Sequence, residues 1–107
     1  LSKLESIITN DLEHCIICGN PTVAIHHAIG GTANRRLSDE DRLLIPLCPK
    51  HHNMDSKESV HLNPIIARWS KMVGQLAFET EMVSTGKAKS KDEARKQFRL
   101  RYGKSFL

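Results

Sequence analysis

Two half-sites for a single metal ion, far apart along the chain, limit what this sequence can fold into more than any other feature. The first is Cys15-x-x-Cys18, closed by Gly19; the second is Cys48-x-x-His51. Ligands three residues apart reach one ion, and a set of three thiolates and one imidazole suits tetrahedral zinc. The 29 residues between Cys18 and Cys48 exceed a compact zinc finger and leave room for an inserted β-hairpin. Cys15, Cys18, Cys48 and His51 are therefore expected to hold a structural Zn2+ that joins hairpin and helix. Such an ion contributes on the order of 10 kcal/mol to folding.

A staple of this kind is what the composition calls for. At 107 residues the chain is expected to form one domain, 1–107, with a small core, and aromatic residues are only 5% of it. Domains of this size bury a limited share of their surface. Three cysteines cannot all pair with one another, which favours metal binding in a reducing compartment, with the cytoplasm as the expected location. No run of about 18 apolar residues is present, so no membrane-spanning helix is expected. The N-terminus shows no secretory pattern, and a first residue of Leu1 suggests a chain processed, trimmed or cut from a longer protein.

Periodicity places the elements. Leu4, Ile7, Ile8 and Leu12 recur near a helical period, so residues 1–12 read as a short helix. Residues 23–29, rich in β-branched side chains, read as a strand ended by Gly30-Gly31. Residues 32–41 read as a polar loop, and 43–47 as the second strand of a hairpin, with Pro46 confining it to an edge or an end. Pro49 can open a helix carrying His51, His52 and Asp55. Asn63 and Pro64 have the N-cap and first-turn chemistry of a longer helix. In that helix Ile65, Trp69, Met72, Val73 and Leu76 form an expected buried stripe, and Gly86 ends it. Ser90-x-x-Glu93 is a capping-box pattern opening a last helix with Ala94, Phe98 and Tyr102 on one side. The fold class is α+β: a zinc knuckle and hairpin-helix core over about 13–61, then two packing helices in 62–107.

Three histidines remain once the zinc set is assigned. His26-His27 lie on the first strand, where neighbours point to opposite faces, and His52 follows the last zinc ligand, pointing away from it toward the hairpin. Imidazoles gathered beside a closed metal site point to a second, open one. The charge balance, 16 Lys and Arg against 12 acidic residues with a net +4, suits a phosphate backbone as partner or simply a solvated helix face, and by itself decides little. Arg35-Arg36 follow the first histidine pair, and Lys87, Lys89, Arg95 and Arg99 belong to a basic stretch in the last quarter.

The order CIICG, IHHAIGG, LCPKHHN resembles the HNH, or ββα-metal, endonucleases, in particular small phage and prophage members. The resemblance covers residues 15–61, and the closing YGKSFL has a similar phage character. In that family a hairpin and a helix pinch one divalent ion. The resemblance implies that His26 and His52 bind the catalytic ion and that His27 is the general base. His61, in Ser-Val-His-Leu-Asn, matches a further histidine whose role is metal binding, phosphate contact or none. It also implies DNA as substrate, a bacterial host cytoplasm, and a recombination, packaging or defence setting in which a recombination protein is a candidate partner. The family's middle Asn has no counterpart in Asp39-Glu40-Asp41-Arg42-Leu43-Leu44; Asn34 or a backbone group is the expected substitute.

The chemistry agrees with these roles. Phosphodiester hydrolysis needs a water deprotonated near neutral pH, and neutral imidazole can accept that proton. A bound cation offsets charge on the phosphate and the leaving oxygen. Imidazole ligands suit Zn2+, Ni2+ or Mn2+ better than Mg2+, which stays among the candidates. Two other readings fit the same residues: a zinc-braced DNA-binding module with a degenerate nuclease site, and a structural zinc protein that binds another protein.

Overall fold

The hairpin lies where the two ligand pairs require it. In the computed structural model, which describes residues 4–107, strand β1 (Ala24–His27) pairs antiparallel with β2 (Leu44–Leu47). Ala24 faces Leu47 and His27 faces Leu44. A two-stranded sheet has only edges, so Pro46 removes no ladder bond the fold needs, and its carbonyl accepts the amide of Ile16 from the first knuckle. All four residues of β2 are buried.

Between the strands the chain is helical, not a loop. Helix α1 (Thr32–Glu40) buries Ser38 completely, and its hydroxyl donates to the Ile29 carbonyl (2.9 Å) and accepts from the Ile29 amide (3.3 Å). A helix whose buried contact is a serine has almost no apolar periodicity to read. The N-terminal segment departs in the other direction. Residues 1–3 of the expected helix lie outside the described residues, and 4–12 form no helix. Ser6, Thr9 and Asp11 accept the amides of Ile8, Asp11 and Glu13, which is the local bonding that competes with a helix. The segment instead runs beside β2: Ile7 N–H donates to the Arg42 carbonyl, and the Ser6 hydroxyl donates to that of Leu44.

After Cys48 the helix expected from Pro49 is a single wide turn, Lys50–Met54. It stops at Asp55, whose backbone is extended and whose carboxylate accepts the amides of Lys57 and Glu58. Helix α2 (Pro64–Ser84) starts as read: Asn63 caps it through the Ile65 amide (2.9 Å), with Pro64 in the first turn. Its buried face is shifted, however. Ile65 and Leu76 are exposed, Trp69, Met72 and Val73 are half-buried, and Ser70, Gly74, Gln75, Phe78 and Glu79 are buried. Polar side chains satisfied inside the fold, and a glycine that admits the hairpin closely, carry this face. Helix α3 (Lys91–Tyr102) is capped by Ser90 on the Glu93 amide and buries Ala94, Phe98 and Tyr102, as its spacing required. Phe98 stacks on Tyr102 with ring centroids 4.5 Å apart, and Phe78 meets both edge-on. Arg101 and the Tyr102 hydroxyl donate to Asp41 at 2.6 Å each, tying α3 to the end of α1.

The approach of α2 to the hairpin is tight enough to test. A Cβ on Gly74 would lie 2.8 Å from Ala28 Cβ and 3.1 Å from Ile29 Cδ1. On an open helix face Gly→Ala gains up to about 1 kcal/mol, whereas overpacking costs about 1–3 kcal/mol. Gly74→Ala is expected to lower stability by about 1 kcal/mol in urea unfolding of the zinc-loaded protein; a gain would place α2 farther from the hairpin.

Candidate metal centre and histidine cleft

The two knuckles close on one point. Cys18 Sγ is 3.7 Å from Cys48 Sγ, Cys15 Sγ is 3.7 Å from His51 Nδ1, and Cys48 Sγ is 3.2 Å from His51 Nδ1. All four ligand atoms lie within 4.8 Å of one another. Around zinc with bonds of about 2.0–2.3 Å, the edges of a tetrahedron are about 3.3–3.8 Å. The set can therefore bind a metal ion such as zinc. Gly19 allows the first knuckle its shape: with φ of 81° it turns the chain so that its amide donates to the Cys15 carbonyl. Burial pushes the Cys15 thiol up, but the amides of Cys48, Cys18 and Ile17 donate to its sulfur and bring it down to about 6. For Cys18 the Asn20 amide favours thiolate, while burial and the sulfurs of Cys48 and Cys15 outweigh it and raise the thiol. A thiolate at Cys15 is the form a metal needs.

A second cluster lies on the other side of the same helical turn. His26, His52 and His61 each offer a ligand atom within 4.8 Å of the others. His61 is brought in by backbone: its amide donates to the His52 carbonyl (3.1 Å), and that of Val60 donates to the His51 carbonyl (2.9 Å). The Nε2 atoms of His52 and His61 are 3.1 Å apart. Neighbouring nitrogens on one ion are about 3.0–3.4 Å apart for bonds of about 2.0–2.1 Å, so the spacing fits two ligands of a shared cation. His26 is 8% exposed, and burial followed by the nearby His52, His61 and His27 pushes its imidazole down to about 3. Burial and His61 lower that of His52 as well. Both rings are thus held neutral, the state in which imidazole coordinates.

Ser70 fixes how His26 presents itself. Its hydroxyl proton is given to the Ala28 carbonyl (2.9 Å), so its oxygen must accept from His26 Nε2–H at 3.0 Å. Nδ1 is then the lone pair left for a metal. A polar partner that sets the tautomer of a coordinating histidine is common in metal sites. Nothing in the sequence marked Ser70, a serine inside a helical stripe.

His27 lies in the same cleft with a different partner. Its Nε2 is 2.7 Å from Asp39 Oδ1 of α1. A carboxylate only accepts, so Nε2 carries a proton, and in the neutral ring Nδ1 holds the lone pair. Asp39 is thus the side-chain partner of that ring, and among the described residues Asn34 makes no hydrogen bond to His27. The cleft, of about 300 Å³, is lined by Ile25, His26, His27, Gly30, Gly31, Arg35, His52 and His61. Gly31 precedes α1 with φ of 99°, and no side chain caps that helix. First-turn amides with no side-chain partner favour an anion there.

The basic residues separate by surroundings. Arg35 lines the cleft and has no ion pair among the described residues, whereas Arg36 pairs with Glu40 at 2.6 Å. Arg95 is spent inside the fold, its guanidinium bonded to the buried Glu79 carboxylate at 3.0 and 3.2 Å. Lys87 lines a separate hollow with Glu40, Asp41 and Glu81, while Lys89 and Arg99 are exposed; none of these four lines the cleft. No helix among the described residues is long and apolar enough to cross a membrane. The chain matches no protein-family model, no curated protein and no solved structure.

If the knuckles share a zinc ion, purified protein carries one equivalent by elemental analysis. Cys48→Ser or a strong chelator should then abolish the cooperative unfolding transition, because the ion contributes on the order of 10 kcal/mol. A folded, zinc-free wild type would remove the assignment.

Proposed function

We propose that this protein is a metal-dependent endonuclease of the HNH type that hydrolyses DNA phosphodiester bonds. The observation that carries the reading is one cleft holding three clustered imidazoles, a fourth fixed by a carboxylate, and an arginine with no ion pair among the described residues. Cys15, Cys18, Cys48 and His51 hold the structural zinc, and His26, His52 and His61 hold the catalytic ion. Three protein ligands leave positions for phosphate and water. An all-imidazole set favours Zn2+, Mn2+ or Ni2+ over Mg2+.

A divalent ion bound there supplies positive charge against the phosphate and the leaving oxygen. The protein's own groups supply the rest. Arg35 and the first-turn amides of α1 draw the scissile phosphate into the cleft. His27 Nδ1 takes a proton from water, whose oxygen attacks phosphorus in line. Asp39 holds the ring in place and stabilises the imidazolium that forms, as carboxylates do behind catalytic histidines. The bond from phosphorus to the sugar oxygen breaks, and that oxygen takes a proton from solvent. The resemblance to phage sequences supports a phage or prophage setting with a recombination protein as partner.

Plasmid nicking with Mn2+, Ni2+, Zn2+ and Mg2+ tests the reading. His27→Ala should keep zinc content and DNA affinity while nicking falls about 10²–10⁴-fold. His26→Ala, His52→Ala and His61→Ala should instead weaken uptake of the second ion and recover in part at high metal. Ser70→Ala should weaken Co2+ uptake about tenfold, read from the cobalt absorption bands. Wild-type nicking in His27→Ala would overturn its role; a wild type inactive with every metal would leave a DNA-binding module.

A further inference from the structure

The segment that follows α3 is bonded to a buried side chain of α2. Gly103, with φ of 92°, ends α3 and turns the chain back. The fully buried Gln75 of α2 then donates to Ser105 Oγ (2.9 Å) and accepts the Phe106 amide (2.7 Å). The same Gln75 amide donates to Glu79 (2.8 Å), whose carboxylate takes both bonds from Arg95. This buried chain of bonds fixes the tail beside the N-terminal half of α2.

The result is a groove of about 540 Å³ between Pro64, Ala67, Arg68 and Lys71 on one side and Lys104–Leu107 on the other. Lys71 Nζ and Lys104 Nζ lie 5.4 and 5.5 Å from the centre of the Phe106 ring. Among the described residues Arg68, Lys71 and Lys104 have no ion pair, and no Asp or Glu lines the groove. Three cationic side chains therefore share a concave surface lined by no acidic side chain. Its helical wall, residues 64, 67, 68 and 71, is a single face of α2. Ser70, which bonds His26, lies about 100° round the same helix from Lys71. The groove and the Ser70–His26 contact that backs the cleft thus occupy neighbouring faces of one helix.

We propose that this groove is a phosphate-binding subsite for the nucleic-acid strand that runs through the cleft. Arg68, Lys71 and Lys104 take backbone phosphates flanking the one that is cut, and the Phe106 ring holds the two ammonium groups in place. The subsite rests on the nucleic-acid reading above and extends it to where the flanking strand lies.

The test measures binding of labelled duplex DNA to the zinc-loaded full chain, with no divalent ion added, over a salt series. Lys71→Ala with Lys104→Ala should weaken binding roughly tenfold at 0.1 M salt and reduce the salt slope by about two units. Lys91→Ala with Lys96→Ala, an equal charge loss on the outer side of α3, should leave the slope within about half a unit of wild type. Zinc content and circular dichroism report folding; Arg68→Gln, expected to reduce the slope by about one unit, replaces the double variant if that fails to fold. A groove variant with the wild-type slope overturns the subsite while leaving DNA binding in place. Equal losses in both double variants overturn it in favour of diffuse attraction. A wild type with no salt-dependent binding removes the nucleic-acid reading and the subsite with it.

Discussion

Four ligand atoms drawn from two knuckles determine where the hairpin can begin and end. With Cys15 and Cys18 within metal-sharing distance of Cys48 and His51, the intervening chain must leave the first knuckle and return to the second. Two short antiparallel strands bridged by α1 satisfy that demand. A two-stranded sheet alone is marginal in water. Here the first knuckle bonds to the Pro46 carbonyl, the N-terminal segment bonds beside β2, and α2 closes over Ala28 and Ile29. The histidine cleft inherits its position from that closure, because His26 and His27 ride on β1 while His52 follows the last knuckle ligand.

The sequence made legible what depends on residue identity at fixed short spacing. The knuckles, the Asn63 and Ser90 caps, the hairpin and the buried side of α3 all belong to that class. It was silent where a polar side chain supplies the tertiary contact. Helix α1 is anchored by Ser38 and the inner face of α2 by Ser70, Gln75 and Glu79, so hydrophobic periodicity pointed elsewhere. The segment 4–12 misled in the opposite sense, with apolar spacing suited to a helix but serine, threonine and aspartate that bond their own backbone. Within the cleft the histidines could be read as a group, yet their partners could not. Asp39 reaches His27 from a helix that looked like a loop, and Ser70 reaches His26 across 44 residues.

The buried polar side chains on the inner face of α2 are tolerated because their bonds are completed. Glu79 is 1% exposed, and its carboxylate accepts from Gln75 and twice from Arg95. Breaking such a set strands a charge away from water, a larger loss than the intact pair is worth as a gain. The network's value therefore lies in where it puts the tail. It holds Ser105 and Phe106 against α2 at a point that apolar packing alone would leave free to slide.

His51 and His52 are consecutive, but the first belongs to the knuckle set and the second to the histidine cluster. Both amides donate to the Cys48 carbonyl, and the Val60 and His61 amides return to the His51 and His52 carbonyls. One peptide bond therefore joins the two candidate ligand groups, so a displacement of the backbone at one is carried to the other. If both groups bind ions, any factor by which one occupancy changes the other is returned in equal measure, since binding free energies are reciprocal. On the proposed function, the knuckle set would fill during folding and the cluster afterwards, so zinc scarcity would silence the cleft before its own ion became limiting.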